Sequence, residues 1–105
     1  MKFIYITTNV SMLEAMTELL DEMKFTDYQV IEQVTAKSQY GVPRLNTAIW
    51  PGYNSSILVQ ETDSEKVAAL IDEINKRNAA AYNNGELIEA FVWNVERSAE
   101  VKGVE

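Results

Sequence analysis

Between Glu32 and Glu61 the only charged residues are Lys37 and Arg44, and close by stand Gln39, Tyr40, Gly41 and Trp50. These types recognise rather than react. A guanidinium or ammonium pairs with carboxylate or phosphate oxygens, tyrosine and tryptophan offer broad contact area, and glycine lets a backbone come close to a ligand. The surrounding stretch Lys37 to Tyr53, KSQYGVPRLNTAIWPGY, holds both prolines, two of the four glycines, one of the two tryptophans and two of the five tyrosines, and no carboxylate. A connection this long in a small domain is usually functional or disordered, and this one is too aromatic for a disordered linker. We read it as a ligand- or partner-binding surface, with Lys37, Gln39, Tyr40, Gly41, Arg44 and Trp50 as candidate contacts. For Trp50, packing against a neighbouring subunit is an equally good reading.

Reactive chemistry has little to draw on. With no cysteine and no histidine, the chain lacks a thiolate nucleophile, the commonest general base and the ligands of soft-metal sites. An enzyme built from this chain would depend on Glu32, Glu61, Tyr40 or Arg44. Glu14, Glu18 and Asp21 fall within reach of one another on a helix and could be imagined around a hard cation. A solvated acidic face is the commoner use of that spacing. The expectation is a protein that is not an enzyme, with no catalytic residue, no metal and no cofactor. A net charge of -7 repels nucleic acid and anionic membranes, so neither is an expected partner. The apolar run at MKFIYITT is too short for a membrane span or a signal-peptide core. Membrane insertion is not expected, and a cytoplasmic location is.

The elements that must hold such a loop can be read in order, within a single domain over residues 1–105. Lys2 to Thr8 is aromatic and β-branched, as a strand should be. Ser11 and Glu14 have capping-box spacing, and Met12, Met16, Leu19, Leu20 and Met23 form one apolar stripe, predicting a helix to about Lys24. Asp27 to Thr35 reads as a second strand and Ser55 to Glu61 as a third. Thr62 and Glu65 repeat the capping box, and Val67, Leu70, Ile71 and Ile74 repeat the stripe, predicting a helix to about Arg77 or Asn78. Asn83-Asn84-Gly85 is a turn, and Leu87 to Val95 a fourth strand. The order β-α-β-β-α-β is that of an α+β ferredoxin-like sandwich, an antiparallel four-stranded sheet with two helices on one face.

Two helices can cover only one face of that sheet, so the other should alternate to polar residues if it meets water. It does not. Ile4 and Ile6 oppose Phe3 and Tyr5, Leu58 lies between Ile57 and Val59, and Phe91 and Trp93 oppose Ala90 and Val92. Whichever parity faces the helices, large apolar groups remain on the far side, and a partner sheet is expected to cover them.

In element order the chain resembles the nitrogen-regulatory PII-like and CutA-like superfamily, across nearly its whole length. Val30-Ile31-Glu32 through Gln39-Tyr40-Gly41 is similar to the second strand running into the family's T-loop, and Gly85-Glu86-Leu87 and Val95-Glu96 to its last turn and strand. The resemblance implies a homotrimer with inward-facing sheets and a signalling or regulatory role in which the loop engages a small-molecule effector or a regulated protein. Nucleotide-binding members carry a glycine-rich turn ending in lysine, and an arginine pair after the last strand. Here the turn is Ala81 to Glu86, ending in an acid, and Glu100 and Lys102 stand in place of the arginines. Thr35 and Lys37 stand where two glycines are usual, and the covalently modified tyrosine motif is not found. Ile49-Trp50 matches an aromatic pair of CutA-like proteins, which implies a divalent-cation-related alternative. An ACT-like small-molecule-binding module and a small ferredoxin-like barrel enzyme share the element order.

Overall fold

The structure, a computed structural model, describes residues 1–35 and 53–103. Its elements are β1 (Lys2–Asn9), α1 (Leu13–Glu22), β2 (Asp27–Val34), β3 (Asn54–Glu61), α2 (Ser64–Ala79) and β4 (Ile88–Asn94), with 3-10 turns at Val10–Met12 and Asn84–Glu86. The four strands form one antiparallel sheet in the order β2-β3-β1-β4. This is the ferredoxin-like arrangement that the element order predicts. Among the described residues no helix is long and apolar enough to cross a membrane.

The core lies where the two amphipathic helices meet the sheet. Ile4 and Ile6 of β1, Ile57 and Val59 of β3, Met16 and Leu20 of α1 and Leu70 of α2 are fully buried. Ile88, Phe25, Leu19, Val67 and Ile74 join them, with Met12, Met23, Tyr28, Ile71 and Ala90 packed at the margin. The residues of both predicted stripes thus face the core, because helical spacing keeps positions three and four apart on one side. The registers Ile4↔Val59, Ile4↔Val92, Ile6↔Ile57 and Ile6↔Ala90 put the even positions of β1 and β4 and the odd positions of β3 on that side.

Both helix starts differ from the capping-box expectation by one or two residues. The side chain of Asn9, not Ser11, accepts from the Ser11 N–H and starts a 3-10 turn, so that α1 begins only at Leu13 and has no side-chain cap of its own. At α2 the cap is Asp63, whose Oδ1 accepts from the N–H groups of Glu65 and Lys66 at 3.0 and 3.2 Å. Asp63 is a stronger cap than Thr62, and Asn9, comparable to Ser11 in cap strength, stands where β1 ends and its Oδ1 reaches the free Ser11 N–H.

At the end of α1, Lys24 adopts φ 67, the left-handed conformation that usually takes glycine. The Phe25 N–H bonds the Leu20 carbonyl at 2.9 Å and the Lys24 N–H bonds that of Asp21 at 3.1 Å. The same corner is tied to the start of α2. Lys66 Nζ donates to the Lys24 carbonyl, pairs with Glu61 Oε1 at 3.1 Å and lies 4.8 Å from the centre of the Phe25 ring. The other oxygen, Glu61 Oε2, accepts from the Thr62 and Asp63 N–H groups.

The backbone N–H of Asp63 most of all, and then Lys66, hold the Glu61 carboxyl below its ordinary value. A depressed carboxylate contributes stability that is fully present above the unfolded value and is lost as pH falls through the folded one. Glu61→Gln should therefore lower the thermal midpoint by a few degrees at pH 7, with the gap to wild type closing as the pH falls below the ordinary carboxylate range and through the depressed value of the folded state. A constant gap across a pH series of melts would show that this staple does not titrate.

Candidate functional site

All four strands bring one end of the sheet together. The antiparallel registers place Asn9 opposite Asn54, Thr8 opposite Ile88 and Val34 opposite Asn54. Strands β2 and β3, from which the segment 36–52 springs, thus have their roots beside the end of β1 and the start of β4. Lys37, Gln39, Tyr40, Gly41, Arg44 and Trp50, the six candidate contacts, lie outside the described residues. Their roots can be described.

These roots are held by polar contacts. The Val10 N–H donates to the Tyr53 carbonyl at 3.3 Å, and Ser55 Oγ donates to the Glu32 carbonyl at 2.6 Å. Ser55 and Ser56 are fully buried, so a serine hydroxyl, not an apolar group, crosses between β3 and β2 at the start of the loop. Beyond Ile31↔Ser56 the β2 register shifts before pairing resumes at Val34↔Asn54. A shift of this kind bends a strand and re-aims the chain beyond it.

Asn9 is the polar residue here that sequence reasoning missed. It is 4% exposed, and among the described residues its Nδ2 has no hydrogen-bond partner although its Oδ1 accepts from the Ser11 N–H. That accepted bond fixes which way the amide points, because an NH2 group could not receive it. A buried donor left unmade costs about 1–3 kcal/mol. The cue in the sequence was faint: an asparagine ending a β-branched strand two residues before a serine with the better capping-box spacing.

The turn between α2 and β4 closes the same end. Asn78 grips Ile88 from both sides, Nδ2 donating to its carbonyl and Oδ1 accepting from its N–H, each at 2.8 Å. Within the turn, Asn83 Oδ1 accepts from the Gly85 N–H and a Glu86 carboxylate oxygen from the Tyr82 N–H. Thr8 Oγ1 ties it to β1 through the Leu87 carbonyl at 3.4 Å. Tyr82 is 95% exposed at its apex. Glu86 is thus a fixed part of the turn.

Of the residues a catalytic reading would need, Glu61 is differently employed. Glu61 sits at the other end of the sheet, opposite Lys2, with both oxygens engaged and its basicity lowered, which suits a staple and not a proton acceptor. Glu32 is exposed, and Tyr40 and Arg44 lie outside the described residues. Of the α1 acids, Asp21 accepts from the Tyr28 hydroxyl at 2.8 Å, and that bond raises the Tyr28 phenol above its ordinary value. Among the described residues no three acidic, histidine or cysteine side chains are arranged to hold a metal ion.

The far face of the sheet is the other candidate surface. Phe3, Tyr5, Leu58, Ile31, Phe91 and Trp93 share it by register. The Phe3 and Trp93 rings are 5.0 Å apart at 42°, and the Tyr5 and Ser56 hydroxyls share a hydrogen bond at 2.9 Å. Ile31 is 45%, Phe91 55% and Trp93 48% exposed. Shallow hollows flank Phe3, one towards Asp27, Gln29 and Gln60 and one towards Trp93 and Arg97.

Compared with known proteins, the chain matches no family model and no curated protein sequence. Its fold is shared with solved structures. A PII-like signalling protein from Thermus thermophilus superposes with a TM-score of 0.67 at 15% identity, over 90% of this chain and 85% of that one. CPII, a nitrogen regulatory PII-like protein from Thiomonas intermedia bound to ADP, AMP and bicarbonate, gives 0.66 at 17% identity, over 91% and 88%. The apo form of CPII gives 0.56 at 18%, over 92% of each chain. This chain has the PII-like fold at a wide sequence distance.

The orphaned donor supplies a test of the loop-bearing end. Asn9→Ala removes a cap contact worth about 1 kcal/mol together with the burial penalty of Nδ2, so stability by urea unfolding should stay within about 0.5 kcal/mol of wild type. A loss above about 2 kcal/mol would mean that Nδ2 is bonded in solution.

Proposed function

We propose that this chain is a non-enzymatic signalling protein of the PII-like kind, a cytoplasmic homotrimer whose sheets face inward and whose loops engage a small-molecule effector or a regulated protein. The observation that carries the reading is the open aromatic face on a PII-like fold. Each large apolar side chain removed from water contributes about 1.5–3 kcal/mol, so six of them on one face make a strong drive to assemble. Packed sheet to sheet, three copies would carry their loop-bearing ends in the same direction. In this reading Lys37, Gln39, Tyr40, Gly41, Arg44 and Trp50 are the contacts, a basic and aromatic group on an otherwise acidic body. A role in nitrogen regulation, as in the name of CPII, belongs to the same proposal.

The effector differs from a tightly held nucleotide. CPII was solved with ADP, AMP and bicarbonate, but here Glu86 puts an anion into the turn before the last strand, and Glu100 adds another beyond it. Both oppose a phosphate chain. Bicarbonate or another small anion asks less of the site than a triphosphate does.

Light scattering on a sizing column should give the mass of three chains for wild type and of one chain for Trp93→Glu, which places a charge on the face to be covered. A single-chain mass for wild type would remove the assembly. Calorimetry with ATP and magnesium at low salt should show binding no tighter than about 0.1 mM. A micromolar constant would place a phosphate site that these residues do not suggest. Arg44→Ala should leave stability within roughly 0.5 kcal/mol while losing a partner in pull-downs from the native cell. Unfolding of the trimer by that change, or retention of the same partners, would make the loop structural.

A further inference from the structure

At the end of the sheet away from the segment 36–52, the far face changes character across its width. One row runs Asp27, Gln60, Phe3, Trp93 through β2, β3, β1 and β4, and the next runs Gln29, Leu58, Tyr5, Phe91. The β1 and β4 members are all aromatic, whereas Asp27, Gln29 and Gln60 are polar and exposed. These three, with Thr26, rim a hollow of about 230 Å³ whose apolar part is Phe3 and Leu58. Its lining contains one carboxylate and no cation. Two lysines at this end are employed elsewhere, Lys66 on Glu61 and the Lys24 carbonyl, and Lys2 on Asn94 Oδ1 at 2.6 Å. Among the described residues Asp27 has no ion-pair partner, its one side-chain hydrogen bond being from the Thr26 hydroxyl at 3.5 Å, and the Gln29 and Gln60 side chains have no hydrogen-bond partner.

We propose that this hollow binds a small aliphatic primary amine, with the ammonium at Asp27 and the carbon chain along Leu58 and Phe3. A primary ammonium carries three N–H donors. Asp27, Gln29 and Gln60 offer a carboxylate and two amide oxygens to receive them. Asp27 and Gln60 are paired across β2 and β3 and Gln29 is two residues along the same strand face, spacings that side chains of this length span. The bond to the carboxylate is of the stronger, charge-assisted kind. Phe3 stands two strands from Asp27, roughly 10 Å at the usual strand spacing, so a ligand with its charge on Asp27 lays its chain on Leu58 and the ring. An anion finds no positive charge in this lining. A quaternary ammonium brings charge without N–H groups and is held by a cage of rings, of which the hollow has one. At about 230 Å³ the space is below the roughly 300–1,000 Å³ of ordinary ligand pockets, which suits a short chain better than a nucleotide.

The probe is n-pentylamine, titrated into the isotope-labelled full chain at pH 7, where the amine is charged, and followed by NMR. The side-chain amides of Gln29 and Gln60 and the backbone amide of Asp27 should shift together, with a dissociation constant of about 1–10 mM. Pentanoate, and n-pentyltrimethylammonium with the same charge but no N–H group, should bind at least about fivefold more weakly. Asp27→Asn, close in shape to the wild type and checked for folding by circular dichroism, should lose about fivefold or more in affinity. Glu14→Gln, which removes the same charge from the loop-bearing end, should lose none. Equal binding of the quaternary amine, or equal loss in the two variants, would reduce the effect to attraction of any cation by an acidic chain and overturn the proposal. So would the absence of shifts at the two glutamines. Lysine blocked at its α-amine and carboxyl presents the same group as a protein side chain. It should bind more weakly than pentylamine, because its bulkier end does not fit a hollow of this size, and tighter binding would overturn the small-molecule assignment. None of these outcomes bears on the mass of the assembly or on the partners of the loop.

Discussion

Everything in this fold depends on a mismatch between two layers. Two helices cover the middle of one face of a four-stranded sheet, while the strands are apolar on both faces and to both sides. The residues that the helices can reach, Ile4, Ile6, Ile57 and Val59, are fully buried. Phe91 and Trp93 on the opposite face, and Val30 and Val92 beyond the helices, remain part exposed. A lone domain under selection for solubility would have alternated to polar residues at those places. Here the sequence spends them on a surface, and the net charge of -7 keeps the rest of the molecule soluble.

Much of the fold was legible because it depends on periodicity, which is a property of neighbouring residues. The stripes Met16-Leu19-Leu20 and Val67-Leu70-Ile74 are where helical spacing predicts, and the strands begin and end within a residue or so of their expected limits. The helix starts were less legible, because two candidate caps sit close together in each case. Asn9 competes with Ser11 and Asp63 with Thr62, and the choice is settled by where the preceding strand ends, a tertiary fact. Lys24 in a left-handed conformation had no cue at all. Glycine is the usual signal there, and what holds Lys24 in place is Lys66, more than forty residues away, bonding its carbonyl.

The candidate site divides in the same way. Composition singled out the segment from Lys37 to Tyr53, since a carboxylate-free, aromatic stretch is visible in an acidic chain. Its supports were not visible. Ser55 reaching the Glu32 carbonyl, the Val10 N–H meeting Tyr53 and the buried amide of Asn9 join residues that sequence spacing does not connect. They come together only because three antiparallel pairings bring four strand ends to one place. Glu61 makes the converse point. By residue type it was a possible base, and only the structure shows both its oxygens committed to a corner of the fold.

The turn from Tyr82 to Glu86 shows how such commitments bear on function. On a scaffold whose solved relative holds ADP, a carboxylate at this place could be read as the loss of a cation and nothing more. Its geometry says that the acid has been given work, closing the turn on the Tyr82 N–H while Asn83 satisfies Gly85 and Asn78 fastens Ile88. A lysine at position 86 could not accept that bond, so a positive charge there would release the Tyr82 N–H and loosen the turn. One side chain thus sets both the closure of the turn and the charge that the turn presents.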